Sequence, residues 1–151
     1  MKAVLQKVRS ARVRVDREIV GAIERGWLIY LGVGSDDHSA DADWLIRRIL
    51  ALRMFRGADG DDVSVLEVGG NLLVVSQFTL FANCRKGGKP SWHRAAEPTK
   101  GEALYQYFLE GLRAREGLTL AAGKFGAMME VESINDGPVT LLLDSRSKSG
   151  K

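Results

Sequence analysis

The chain has 151 residues, 45% of them apolar and 27% charged, the make-up of a single soluble domain long enough to bury a core. Its apolar runs are too short to cross a bilayer. Its basic start lacks the uninterrupted apolar stretch of an export signal, and its single cysteine, Cys84, excludes an internal disulfide. The expectation is a cytoplasmic protein without a membrane partner; a net charge of +3 permits contact with a nucleic acid but does not demand it.

Ala11, Val13 and Val15 alternate with Arg12, Arg14 and Asp16, the period of a half-buried strand. Asp16-Arg17-Glu18 is expected to turn the chain into a second strand, IVGAI. GWLIYLGVG then reads as a third strand, continuous enough to be buried on both faces. From Ser39 to about Ala51 the period changes, and Ala42, Leu45, Ile49 and Leu52 fall on one helical stripe. RGADGDD is a loop whose acids lack the ligand spacing of an EF-hand, so no metal is expected there.

NLLVVSQFTLF, residues 71–81, is the strongest strand pattern in the chain. A long loop follows, in which Arg85, Lys86, Lys89, His93, Arg94 and Lys100 crowd together. Thr99-Lys100-Gly101-Glu102 has the spacing of a capping box. The helix behind it is expected to turn Leu104, Tyr107, Phe108 and Leu112 inward. LTLAA, AMMEVESI and VTLLLD read as further strands, and the polar end of the chain, from Ser145, is expected to fray. This sets a single domain over residues 1–145 and a tail over 146–151. Strands dominate without regular alternation with helices, so the fold class is α+β: a curved, mostly antiparallel sheet or open barrel with two main helices.

Most catalytic constellations are absent. Two histidines and one cysteine do not make a convincing zinc site, and nothing orients Cys84 and His93 as a nucleophile and base. GVGSDD lacks the third glycine of a dinucleotide fingerprint. Two segments stand out. Ser76, Gln77 and Thr79 interrupt an otherwise buried-looking run, and buried polar groups cost about 1–3 kcal/mol each unless satisfied; they either face solvent where the strand leaves the core or serve a site. Asn135-Asp136-Gly137-Pro138 carries one of only three prolines. It is either a plain turn between two strands or a rigid element whose successive carbonyls accept from an ammonium group, a Gly-Pro bond being able to turn cis for roughly 0.5–1 kcal/mol.

SQFTL at Ser76–Leu80 and NDGPVT at Asn135–Thr140 resemble the two signature motifs of the D-aminoacyl-tRNA deacylases. AVLQKV, LGV, GGNLLVVSQFTL, KPSW, EALYQYF and GKFGAMMEV fall in that family's order and spacing, so the likeness spans nearly the whole chain. Each motif alone is moderately specific; the pair is strongly so. The resemblance implies a homodimeric esterase, independent of metal or any other cofactor. It would remove D-amino acids, and glycine, from the 3′-terminal ribose of tRNA at an active site shared across the subunit interface.

On this resemblance Ser76, Gln77, Phe78 and Thr79 line the pocket, while Gly137-Pro138, in cis and flanked by Asn135, reaches in from the partner. Lys7 stands where the family usually has an arginine that holds the Gly-Pro motif, and lysine lacks the bidentate fork. Phe125 and Met129 match positions near the terminal adenosine, with core packing the equal alternative; Phe78 is likewise core or contact. The basic loop would meet acceptor-stem phosphates, with Trp92 packing rather than stacking.

With the amine held by two carbonyls and the ester held by the strand backbone, a D side chain points to solvent and an L side chain meets the wall. Backbone amides around Phe78 and Thr79 are candidates for an oxyanion hole. Two mechanisms stay open: attack by the Thr79 hydroxyl, or activation of water with help from the ribose 2′-hydroxyl. The second is favoured because Thr79 shows no base. Two rival functions also stand, a non-catalytic RNA-binding module and a related deacylase acting on a misattached L-amino acid such as alanine.

Overall fold

The computed structural model describes residues 1–85 and 87–147. The first strand, β1 (Lys2–Val15), is the spine of the sheet. Its first half pairs antiparallel with β3 (Gly26–Gly32), from Lys2 opposite Gly32 to Val8 opposite Gly26. Its second half pairs antiparallel with β2 (Glu18–Ile23). Its other edge runs antiparallel along β8 (Glu130–Asp144). Asp16 and Arg17, at φ +50° and +70°, form the turn between β1 and β2; positive φ at both central residues matches the right-handed twist of a hairpin.

The other half of the sheet is parallel. β3 pairs with β6 (Asn71–Ser76), and β6 pairs with β7 (Thr119–Ala122). Parallel neighbours need crossovers, and the two main helices supply them: α1 (Ser39–Ala51) between β3 and β6, and α2 (Pro98–Arg113) between β6 and β7. The sheet is therefore mixed and barrel-like, with antiparallel pairings in the majority. It curls until β2 approaches β7: a Cβ on Gly21 would lie 2.7 Å from the Ala122 carbonyl oxygen. Phe55–Arg56 and Asp62–Val63 form a small separate pair, β4 and β5, around the acidic loop.

β3 and β6 have no solvent face, which explains their unbroken apolar runs. Trp27, Ile29, Leu31, Leu72 and Val74 pack with both helices in the larger core. Leu28, Leu73 and Val75 point the other way, into a smaller core with Val8, Val13 and Ile23. Helix α1 occupies the expected span and buries Ala42, Leu45 and Ile49 as expected.

Several expectations change: Leu52, expected on the α1 stripe, is that helix's extended C-cap, and the strand expected from AMMEVESI starts only at Glu130 and runs without a break into VTLLLD. The strand expected over residues 71–81 stops at Ser76, and Phe78–Phe81 form a 3-10 turn. Helix α2 begins at Pro98 with Glu97 as its N-cap and no side-chain capping bond. The Thr99–Glu102 capping box does not form because proline takes the first helical position, where its missing N–H costs nothing. The inner face of α2 carries Gly101, Tyr105, Phe108, Leu109 and Leu112; Tyr107 is exposed and donates to the Asp43 carboxylate at 3.1 Å. Finally, Ser145–Ser147 form a 3-10 turn with Ser145 fully buried, its hydroxyl accepting from the Met1 ammonium. Residues 148–151 lie outside the described chain.

Candidate active site

The C-terminal ends of the parallel strands β3 and β6 open into a cavity of about 560 Å³. Its floor is apolar because both strands belong to the core at this point: Leu31, Val33 and Val75 contribute, with Tyr105 from α2. At Ser76 the strand gives out. The Gln77 amide still donates to the Leu31 carbonyl at 2.8 Å, continuing the ladder by one step. The chain then tightens into the 3-10 turn, with the Leu80 amide bonded to the Gln77 carbonyl. A 3-10 turn leaves its first amides without internal acceptors, and here these belong to Phe78 and Thr79.

The polar interruption in the sequence is thus the rim of a cavity. Ser76, Gln77 and Phe78 line it. Thr79 does not line it, but its hydroxyl accepts a hydrogen bond from the Gln77 side-chain amide. Phe78 is 57% exposed and stands edge-on to Trp92, with ring centroids 5.2 Å apart. Trp92 is itself exposed.

The basic loop curls over the same end of the sheet. The Ser35 amide donates to the Arg94 carbonyl, the Ala96 amide to the Val33 carbonyl, and Asn83 and Ser91 exchange backbone bonds. This brings Trp92, Ala95, Ala96 and Glu97 to the cavity wall. Phe125 and Met129 also line the cavity. Phe125 does so while packing against Tyr105 at 5.6 Å, so lining and packing coexist in one side chain. Cys84 is exposed, and no hydrogen bond joins it to His93 among the described residues.

Tyr105 was missed by the sequence reasoning. It is 1% exposed, and its hydroxyl donates to the Val74 carbonyl at 2.9 Å. Burial pushes its pKa up to about 12, opposed by the nearby Arg113 charge. It is a neutral donor, not a base, at ordinary pH. The clue available was a phenol four residues beyond Gly101 on an otherwise apolar stripe, with a hydroxyl that needs a partner once buried.

The second motif lies elsewhere. Asn135, Gly137 and Pro138 belong to β8, which runs through them as one strand. Neither they nor Lys7 line the cavity of their own chain. The ladder with β1 slips twice, between Gln6 and Val8 and between Val8 and Ser10, which accommodates the extra backbone. Gly137 has φ +121°, the Gly137–Pro138 bond is cis, and both residues are exposed. The segment is braced from below. Lys7 Nζ lies 3.6 Å from Asp136 Oδ2 and Arg9 Nε 3.4 Å from Asp136 Oδ1. Asn135 Nδ2 donates to Thr140 Oγ1 at 3.2 Å, leaving Asn135 Oδ1 buried without a partner.

A family model described as D-Tyr-tRNA(Tyr) deacylase matches residues 4–144. The chain belongs to that family. A protein of Thermotoga petrophila named D-aminoacyl-tRNA deacylase is 51% identical over 96% of this chain and 97% of its own length. One of Opitutus terrae with the same name is 52% identical over 98% of this chain and 99% of its own. Among solved structures, the c-Myc DNA Unwinding Element Binding Protein superposes with a TM-score of 0.86 at 41% identity, covering 95% of this chain and 98% of that one. A probable eukaryotic D-amino acid tRNA deacylase superposes at 0.80 with 18% identity over 94% of this chain and 97% of that one, a likeness of fold alone. In this chain the two motifs sit on separate surfaces: one rims the cavity, and the other stands exposed on the β1–β8 ladder.

Proposed function

We propose that this protein hydrolyses the ester bond between a D-amino acid, or glycine, and the 3′-terminal ribose of tRNA, and spares L-aminoacyl-tRNA. The observation that carries this reading is the family match over residues 4–144, joined to a cavity rimmed by Ser76, Gln77 and Phe78. The enzyme acts as a homodimer in the cytoplasm. The exposed Gly137-Pro138 of one subunit enters the cavity of the other, which is why the motif is absent from its own chain's cavity wall.

In that arrangement the carbonyls of Gly137 and Pro138 accept from the substrate's α-ammonium. The free amides of Phe78 and Thr79 face the oxygen that becomes negative when water adds to the ester carbonyl, and such donors are worth about 3–4 kcal/mol in the transition state. Water's oxygen bonds to the carbonyl carbon, the bond to the ribose oxygen breaks, and that oxygen takes up a proton. The neighbouring 2′-hydroxyl assists the proton movement. Thr79 acts as a bracing residue and not as the nucleophile; this is supported by its hydroxyl accepting from the Gln77 side-chain amide with no hydrogen bond to a basic group among the described residues. Two substituents of the α-carbon are held, so handedness is read from where the third can go: out through the mouth for D, into the wall for L. Phe125 and Met129 meet the terminal adenosine, and the loop carrying Arg85, Lys89 and Arg94 meets backbone phosphates.

A second reading is nucleic-acid binding without turnover. It is favoured by the likeness to a protein named for binding a DNA unwinding element. One experiment separates the readings: purified protein is given D-tyrosyl-, L-tyrosyl-, L-alanyl- and glycyl-tRNA with a chelator present. Release from the D and glycyl forms alone supports the deacylase. Release of L-alanine would assign the opposite chirality, and tight binding with no release would assign the binding module.

A further inference from the structure

The cavity wall carries a single charged side chain among the described residues, and the deacylase chemistry above does not use it. This is Glu97, the N-cap residue of α2. The side chain is exposed, so it stands at the mouth, above walls that are apolar in Leu31, Phe125 and Val131. It has no fold role that accounts for it. It makes no capping hydrogen bond, and no salt bridge engages it among the described residues. The nearest lysine in sequence, Lys100, spends its ammonium on the Ser35 carbonyl at 2.6 Å. What the fold needs from residue 97 is its backbone carbonyl, which accepts from the Gly101 amide at 2.8 Å.

We propose that the Glu97 carboxylate is a specificity-determining group that biases the enzyme by the charge of the D side chain, favouring cationic D-amino acids over anionic ones. The inference rests on the deacylase reading, in which a D side chain leaves through this mouth. Among the described residues of this chain, no other charged side chain lines the wall. At a solvated rim a unit charge several ångströms away changes transition-state binding roughly threefold in each direction. The preference for D-lysyl over D-glutamyl ester is then roughly tenfold. Neutral side chains, such as that of D-tyrosine, feel little of it.

The test is single-turnover deacylation of one tRNA charged in turn with D-lysine, D-glutamate and D-tyrosine, by wild type, Glu97→Gln and Glu97→Lys. The wild-type D-lysyl to D-glutamyl ratio of kcat/KM is expected to exceed unity, to contract roughly tenfold in Glu97→Gln and to invert in Glu97→Lys. Raising the salt should contract the wild-type ratio too, because exposed charges are screened while the tRNA backbone term is common to all three substrates. A ratio that moves less than twofold across the variants overturns the proposal. So does an equal change for all three esters, which would make Glu97 a general binding or positioning group. If wild type fails even on D-tyrosyl-tRNA, the deacylase reading falls and this inference falls with it; activity with an unmoved ratio sinks the inference alone.

Discussion

The Gln77 side-chain amide donates to the Thr79 hydroxyl within the turn that ends β6. An amide nitrogen that donates cannot also remove the threonine's proton. No hydrogen bond joins the hydroxyl to a basic group among the described residues, and its place off the cavity wall fits a bracing role. Thr79→Ala is expected to keep kcat on D-tyrosyl-tRNA within about tenfold of wild type. Loss of a true nucleophile costs on the order of a thousandfold or more. Rapid-quench measurement of D-tyrosine release distinguishes the two, and a loss of the larger size would reinstate Thr79 as the attacking group.

A side chain at Gly137 would be strained. Its φ of +121° lies where L-residues are rarely found, and a Cβ would sit 2.8 Å from Val139 Cγ2 and 3.0 Å from the Val139 nitrogen. Gly137→Ala should therefore shift the carbonyls proposed to hold the substrate amine. Strain of about 1–3 kcal/mol is expected locally, with turnover of D-tyrosyl-tRNA down by about 100-fold or more. Binding of uncharged tRNA, measured by filter retention, should stay close to wild type, because the backbone phosphates are proposed to meet the basic loop instead. Parallel loss of binding and turnover would mean that the segment is simply structural.

The two halves of this fold differ in how openly the chain declares them. Helix α1 was legible because Ala42, Leu45 and Ile49 keep a helical period with polar residues between them, although Leu52, counted on the same stripe, is its extended C-cap. The β1–β2 turn was legible because the alternation stops at Asp16. Tyr105 and Tyr107 were not separable in the same way: both lie near the stripe, and only packing against β6 decides which is buried. The end of β6 was hidden because Phe78 and Leu80 continue the apolar count while the backbone has already turned. The βαβ crossovers were obscured by the long loop before α2 and the small β4–β5 pair before β6. For the site, SQFTL and NDGPVT were visible as anomalies, but a linear motif carries no information about sharing a cavity. Only the folded chain places one motif at its rim and leaves the other outside it.

Lys7 and Arg9 both reach Asp136, one residue before Gly137. Lys7 is the more sheltered, with its side chain 18% exposed against 75% for Arg9. A sheltered pair is less screened by solvent than an exposed one, so Lys7 should dominate the bracing. Lys7→Ala is expected to lower kcat/KM on D-tyrosyl-tRNA by about three- to tenfold while moving thermal stability by less than about 1 kcal/mol. Lys7→Arg should match or exceed wild type, because guanidinium can grip the carboxylate through two bonds. Arg9→Ala should change little. If Arg9→Ala proves the more damaging, the brace runs through the exposed residue instead.

Tyr105 ties the cavity floor to the stability of the fold, and the tie depends on pH. Its phenol has a folded pKa of about 12 against 10.0 for the free group, because burial disfavours the anion. A raised folded pKa contributes stability that is complete below the unfolded value and is lost as pH climbs through the folded one. Between pH 10 and 12 the unfolded chain gives up this proton while the folded chain keeps it. The native state should lose about 2–3 kcal/mol over that window from this residue alone. Lysines and other tyrosines titrate in the same range, so the residue's share is read by difference. Tyr105→Phe leaves the Val74 carbonyl without its donor and should cost about 1–3 kcal/mol at pH 7. Its penalty relative to wild type should then shrink, and can vanish, by pH 12. Urea unfolding of both proteins at pH 7, 10 and 11.5 measures this. A penalty that stays constant with pH would mean that the phenol titrates normally and that the hydroxyl is not sealed against the floor.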